Sequence, residues 1–144
     1  MTRIDRRVQG LVALLCAMAS VPAPALTPDE PDVPALKRCE PAPKADCESA
    51  DLRFAQLAGK DLSGANFRGA SLARADLRRA NLVGADFTGA SLVGARFDQA
   101  YLATAIFVDA DLTGTSFESA RMSKSDFSGA LIRGADLSGA WATG

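Results

Sequence analysis

The sequence predicts an all-β solenoid, and three observations indicate it. Residues 50–139 form eighteen consecutive repeats of five residues, followed by a partial nineteenth. The third position of every repeat is large and apolar, and the first position is alanine in fifteen of the eighteen. A buried position that recurs at a fixed short interval is typical of coiled, repetitive architectures.

A period of five fits neither regular element on its own. On an α-helix, a step of five residues advances about 140° around the axis, so the apolar residues would cover every face. On a β-strand, an odd period would place them alternately on the two sides of the sheet. The chain must therefore turn a corner after each repeat, so that successive repeats form the sides of a coil with the third position pointing inward.

The composition of each position supports this geometry. Large and small side chains alternate at the third and first positions, which predicts a narrow core in which bulky groups interleave with methyl groups. The fifth position is often glycine, as at Gly64, Gly84 and Gly94, where a tight bend needs a backbone without a Cβ atom. The other positions are polar or variable and are expected to face water.

These repeats, of the type A(D/N)LxG, resemble the pentapeptide-repeat family over about the last two thirds of the chain. The resemblance implies a right-handed quadrilateral β-helix with four repeats per coil, and thus about 4.5 coils and a rod about 22 Å long. No C-terminal capping helix is expected. At the implied spacing of 20 residues, four phenylalanines would stack as a ladder in the core, with Phe97 and Phe117 interleaved. The ladder consists of Phe67, Phe87, Phe107 and Phe127.

Residues 1–25 have the pattern of a secretory signal peptide. Three arginines precede an apolar run at residues 11–19, which is shorter than the roughly 20 residues that span a bilayer. Cleavage after Ala25 is favoured over cleavage after Ala19. The Arg6-Arg7 pair leaves twin-arginine export open beside the general route. The sequence thus predicts a periplasmic or secreted protein that keeps no integral membrane segment after cleavage.

Residues 26–49 are predicted to form a proline-rich linker and an N-terminal cap. Cys39 and Cys47 are the two cysteines that remain after cleavage, and an oxidising compartment favours a disulfide between them. Free thiols are the alternative, and a zinc site is disfavoured because the chain has no histidine. The disulfide would pin the linker over the first coil. The solenoid is assigned to residues 50–144.

The balance of charge argues against several partners. Residues 50–144 contain ten acidic and ten basic side chains. The best-known functional branch of the family mimics DNA, binds type II topoisomerases and protects them from quinolones. Duplex DNA carries one negative charge per roughly 1.7 Å, so a neutral exported rod disfavours that function, which stays the alternative. The absence of a basic stripe also argues against binding nucleic acid or anionic membrane.

The sequence contains no pattern typical of an enzyme. It has no histidine, no nucleophile paired with a base, and no phosphate-binding loop, because its glycines follow the five-residue period. Neither a cofactor nor a metal is predicted. The sequence therefore favours a non-enzymatic, exported structural or protein-interaction module with an unknown protein partner.

Two surfaces are candidates for contact with that partner. The first is a column of aromatic, cationic and aromatic side chains with apolar residues nearby, which comprises Val83, Tyr101, Ile106, Val108, Arg121 and Trp141. The second is the uncapped C-terminal coil, whose open strand edges predict a homodimer. Elsewhere, cross-coil ion pairs are expected between Asp76 and Arg96 and between Arg78 and Asp98. Lys60 is expected to bend outward and to make the first coil irregular.

Overall fold

The computed structural model describes residues 39–143. Each repeat contributes one bridging residue, its second position, which pairs in parallel with the residues 20 positions away, from Asp46 with Asn66 to Arg121 with Trp141. Since 20 residues are four repeats, each coil has four sides. Residues 39–143 contain no helix, and accordingly no helix in that range that could cross a membrane.

The corners between sides are β-turns. The N–H at the first position of one repeat donates to the carbonyl at the third position of the repeat before it, as from Ala110 to Phe107 at 3.1 Å. The fifth position has a left-handed backbone, with φ between +55° and +71°. A left-handed residue at that point with this hydrogen bond is the pattern expected of a type II turn. Ten of the left-handed residues are glycine and ten are not, so the turn prefers glycine without requiring it.

The core contains two phenylalanine ladders. Phe67, Phe87, Phe107 and Phe127 stack on one side, with ring centroids 5.0, 4.9 and 4.8 Å apart. Phe97 and Phe117 stack 5.0 Å apart and meet the first ladder edge to face at 5.8–6.0 Å. Edge-to-face pairs at this distance are favourable, so the two ladders close the narrow core between opposite sides.

The solenoid begins earlier than the predicted boundary at Ala50. Residues 45–49 already form a repeat, because Asp46 pairs with Asn66 and Cys47 is fully buried at the third position. The turn before this repeat has a left-handed Lys44. The sequence pattern predicts a later boundary because Cys47, a small apolar residue, fills the position that leucine or phenylalanine fills in most other repeats. The predicted signal peptide, 1–25, and residues 26–38 of the predicted linker lie outside the described residues.

The two cysteines of the predicted cap are close together. The Cα atoms of Cys39 and Cys47 lie 5.0 Å apart, which is within the range that a disulfide spans. Cys39 also packs against the core cluster that contains Cys47. The geometry is suited to a bond that fastens the chain to the first coil, and oxidation of the pair stays a prediction.

Three polar residues occupy the inward first position, and each is accommodated. Lys60 is exposed, yet its backbone keeps the repeat pattern, since its N–H donates to Leu57 at 3.2 Å and its carbonyl accepts from Asn81 at 2.9 Å. The expected irregularity of the first coil is therefore wrong, because only the side chain has to leave the core. The Thr115 and Ser125 hydroxyls donate to backbone carbonyls at 2.9 and 2.7 Å.

Candidate functional site

One side of the solenoid carries a column of aromatic and cationic side chains. Parallel bridges place Tyr101 beside Arg121 and Arg121 beside Trp141. The Arg121 guanidinium carbon lies 5.4 Å from the centroid of the Tyr101 ring, a cation–π distance. The Tyr101 and Trp141 side chains are 45% and 70% exposed. The column thus presents two accessible rings with a cation between them.

A row of polar side chains runs along the neighbouring corner. Arg79, Gln99 and Ser119 occupy the fifth position of three repeats that stack on one another, with φ of +57°, +59° and +55°. The Arg79 Nε donates to Gln99 Oε1 at 3.1 Å. A left-handed backbone is unfavourable for residues other than glycine. Three successive coils therefore keep a side chain where glycine would be less strained, directly beside the aromatic column.

The column and the corner row together line a groove of about 800 Å³. No acidic residue lines it, and neither Arg79 nor Arg121 forms an ion pair with a carboxylate in residues 39–143. The groove therefore carries two cationic side chains on a solenoid whose repeats, residues 45–143, contain twelve acidic and ten basic side chains. Its lining residues are Arg79, Gln99, Tyr101, Ser119, Arg121, Ser123 and Trp141.

The last described coil forms a second candidate surface. Ile132 and Leu137 occupy inward third positions but are 52% and 46% exposed. Within residues 39–143, the N–H groups of Phe127, Ile132 and Leu137 donate to no acceptor, whereas Phe107 and Phe117 at the same position donate to the next coil at 2.7 Å. This end presents apolar side chains together with unpaired backbone donors, which is a template for another β-structure.

The repeats identify the chain's relatives. The family model for pentapeptide repeats matches residues 45–82, 80–118 and 110–144. The chain belongs to the pentapeptide-repeat family. Its fold is the right-handed quadrilateral β-helix of that family. No curated protein sequence matches it closely enough to count as a relative.

Solved pentapeptide-repeat structures are similar to this one. Rfr23 from the cyanobacterium Cyanothece 51142 is 25% identical, with a TM-score of 0.59 over 60% of this chain and 59% of that chain. A trypsin-treated variant of QnrB1, a plasmid-mediated fluoroquinolone resistance protein, is 31% identical, with a TM-score of 0.61 over 66% of this chain and 46% of that chain. The chain thus spans less than two thirds of the length of either protein.

Only half of the predicted interaction patch lies in the groove. Tyr101, Arg121 and Trp141 line the groove, but the other three predicted residues do not. Val83 is exposed on the same side of the coil, whereas Ile106 and Val108 are half-buried on the next side, beyond the turn at Thr104. The prediction missed Arg79, Gln99 and Ser119. Non-glycine residues spaced 20 apart at a turn position were the available signal.

The predicted ion pairs form between different partners. Asp76 and Arg96 are bridge neighbours, but the close contacts lie within single repeats, from Arg78 to Asp76 at 2.6 Å and from Arg96 to Asp98 at 2.8 Å. Residues two positions apart in a repeat both face outward, so their side chains meet without crossing to the next coil. The Arg78 guanidinium, through its hydrogen bonds, holds the pKa of Asp76 below its usual range.

Asp98 has the most enclosed carboxylate of these pairs. The residue is 7% exposed and accepts hydrogen bonds from Arg96 Nε at 3.1 Å and Nη2 at 2.8 Å, and from the Ser116 hydroxyl of the next coil. It lines a second depression with Arg78, Arg79 and Glu118. These contacts connect Asp98 to Arg96 of its own repeat and to Ser116 of the next coil, so the carboxylate links two coils. Within residues 39–143, no cluster of acidic or cysteine side chains is arranged to hold a metal.

Proposed function

We propose that the chain is an exported, non-enzymatic interaction module that associates through its last coil. The observation that carries the proposal is the exposure of Ile132 and Leu137 together with the unpaired N–H groups at that end. Apolar side chains and open strand edges favour pairing with another β-structure. The predicted signal peptide supports an extracytoplasmic role, and the nearly balanced charge of the repeats argues against a DNA mimic.

A second copy of the chain is the occupant that suits this surface. At the opposite end, Cys47 is fully buried and Leu57 is 3% exposed, so that end offers less apolar core surface for head-to-tail stacking. Two identical open ends that meet across a two-fold axis bury each other and end the assembly at a dimer. The rim carries Asp126, Arg133 and Asp136, whose opposite charges allow pairs between copies.

Light scattering coupled to gel filtration tests this association. The full chain should be a dimer, and Ile132→Asp or Leu137→Asp should make it a monomer because each buries a charge in the contact. Val93→Asp is the matched control, since Val93 is an exposed apolar residue on the side wall, and it should stay dimeric. A wild-type chain that is monomeric at every concentration would contradict the proposal.

Export has its own test. After expression in a Gram-negative bacterium, the protein should appear in the extracytoplasmic fraction with an N-terminus near Leu26. In that fraction, Cys39 and Cys47 should resist alkylation until a reductant is added. An intact N-terminus in the cytosol would contradict export, and free thiols in the exported protein would contradict only the cap.

A DNA-mimicking, topoisomerase-binding function is the alternative, and the 31% identity to the trypsin-treated QnrB1 variant is the observation that favours it. The outward arginines oppose it, because Arg78 and Arg96 neutralise the acidic groups of their own repeats. Expression of residues 26–144 in the cytosol should leave fluoroquinolone susceptibility unchanged. Reduced susceptibility would favour the alternative.

A further inference from the structure

The groove lies on the side wall and includes Trp141 of the last coil, and its chemistry indicates a ligand. Arg79 and Arg121 are exposed and lack a carboxylate partner in the described chain, whereas Arg53, Arg68, Arg78 and Arg96 each have one. Arg79 donates to Gln99 and Arg121 lies over the Tyr101 ring, and a guanidinium without a carboxylate partner is suited to bind carboxylate or phosphate through two parallel hydrogen bonds. The groove therefore favours an anion.

The Tyr101 and Trp141 rings indicate that this anion also has flat, partly apolar surfaces. Tyr101 and Trp141 lie two coils apart, about 10 Å at the usual strand spacing. Each ring is amphipathic, with a face for stacking and a polar tip for hydrogen bonding. Gln99, Ser119 and Ser123 supply neutral polar groups along the same groove. Alternating ring faces and hydroxyl groups are what a chain of sugar rings presents.

The backbone N–H and carbonyl groups of the aromatic column are already hydrogen-bonded to neighbouring coils, which argues against a peptide ligand. The N–H groups of Tyr101, Arg121 and Trp141 donate to the previous coil at 3.0, 2.9 and 2.8 Å, and their carbonyls accept from Leu82, Leu102 and Met122. A peptide that binds by strand addition needs a free edge. Recognition here must use side chains alone, and this favours stacked rings over an extended polypeptide.

We propose that this groove binds an acidic oligosaccharide, with its carboxylates on Arg79 and Arg121 and its ring faces on Tyr101 and Trp141. A single-stranded nucleic acid also combines rings and anions. It would need a longer basic track than the two arginines that line this groove.

Trp141 is the only tryptophan of the chain, so its fluorescence reports ligand in the groove directly. Titration of the full chain with tetragalacturonate should give a saturable change in that fluorescence, confirmed by calorimetry. Arg79→Gln or Arg121→Gln should weaken binding by about tenfold or more, since each removes a charge-assisted contact. The same tetrasaccharide with its carboxylates reduced to alcohols should bind weaker by a similar factor.

Arg74→Gln is the matched control, because it removes the same charge from an exposed position outside the groove and away from the last coil. It should change affinity by no more than about twofold, and all variants should keep the wild-type unfolding midpoint. Repeating the titration with Ile132→Asp separates this inference from dimer formation: binding by the monomer supports the groove whatever the oligomeric state.

Four results would overturn the proposal. These are the lack of saturable binding in both backgrounds, equal binding of the reduced tetrasaccharide, equal weakening by Arg74→Gln, and equal or tighter binding of oligothymidylate or an acidic peptide. The last result would assign the groove to another class of ligand.

Discussion

Two coils of the same solenoid with nearly the same repeats have opposite surroundings. Leu112 and Ile132 occupy the third position on one side, one coil apart, and are 0% and 52% exposed. Phe117 and Leu137 differ in the same way on the next side. Each third-position side chain packs against its own coil and against a coil on either side, so the last coil lacks half of that cover.

The difference shows that the place of a repeat along the rod, and not its sequence alone, decides what its apolar residue does. In the middle of the rod, its apolar residue contributes to stability. At the end, the same residue contributes an exposed surface and an unpaired N–H group. Stability in such solenoids comes largely from interfaces between neighbouring repeats, so the last described coil should be the least stable region.

The largest expected effect comes from the phenylalanine ladder. Phe107→Ala should lower the free energy of unfolding by about 3 to 5 kcal/mol, because stacked and edge-to-face rings surround the cavity and cannot close it. Phe127→Ala, at the half-buried end of the same ladder, should cost about 1 to 2 kcal/mol in a monomeric background. Denaturant unfolding measures both, and equal losses would show that the end coil is packed like the middle.

Asp98 tests whether an outward residue can hold the middle coils together. Asp98→Ala should destabilise by about 1 to 3 kcal/mol, because Arg96 and Ser116 lose their shared acceptor. Glu118→Ala is the matched control: it lies at the same position one coil later and is exposed, so its effect should be near zero. Equal effects of the two substitutions would mean that the enclosure of Asp98 adds nothing.

The turn positions offer a smaller, stabilising change. Thr104 has a left-handed backbone, where a β-branched residue is strained, so Thr104→Gly should raise the melting temperature through a gain of about 0.5 kcal/mol. Ala103 precedes it in the same turn without a positive φ. Ala103→Gly should instead destabilise by about 0.5 to 1 kcal/mol. A loss of stability from both would show that the left-handed strain is negligible.

The smallest expected effect is on the stability of the fold at acidic pH. Hydrogen bonds from the Thr113 hydroxyl and N–H, at 2.6 and 3.0 Å, lower the pKa of Asp111. A folded-state pKa below the unfolded value stabilises above about pH 4, and this contribution is lost as pH falls through the lowered pKa. Asp111→Asn should therefore reduce the sensitivity of unfolding to pH in that acidic range. An unchanged acid profile would contradict this contribution.

Much of the fold could be predicted because one physical constraint recurs in every repeat. An apolar residue every fifth position is compatible with a coil that turns a corner each time, and Phe67 and Phe87, 20 residues apart, then stack. The sequence pattern does not predict the first repeat, residues 45–49. Cys47 is buried like the other third-position residues, but it is smaller than the leucine and phenylalanine that define the pattern. The five-residue period predicts which positions face the core, but it does not predict which residue type fills each of them.

The candidate site was predicted less completely, for a geometric reason. The column of Tyr101, Arg121 and Trp141 follows from the 20-residue spacing, since all three share a position in their repeats. Arg79 and Gln99 belong to the preceding side of the coil, and only the direction of their left-handed turn brings them to the column. The ion pairs of Arg78 and Arg96 are predicted across coils but form within their own repeats. Spacing alone does not distinguish a contact within a repeat from a contact between repeats.

Residue-resolved hydrogen exchange at two protein concentrations tests the contrast between middle and end most directly. In dilute protein, the Ile132 and Leu137 amides should exchange fast while those of Phe107 and Leu112 exchange slowly; in concentrated protein, the end amides should slow and the middle ones should not change. End amides that are as slow as Phe107 in dilute protein, or that exchange at the same rate at both concentrations, would contradict the account.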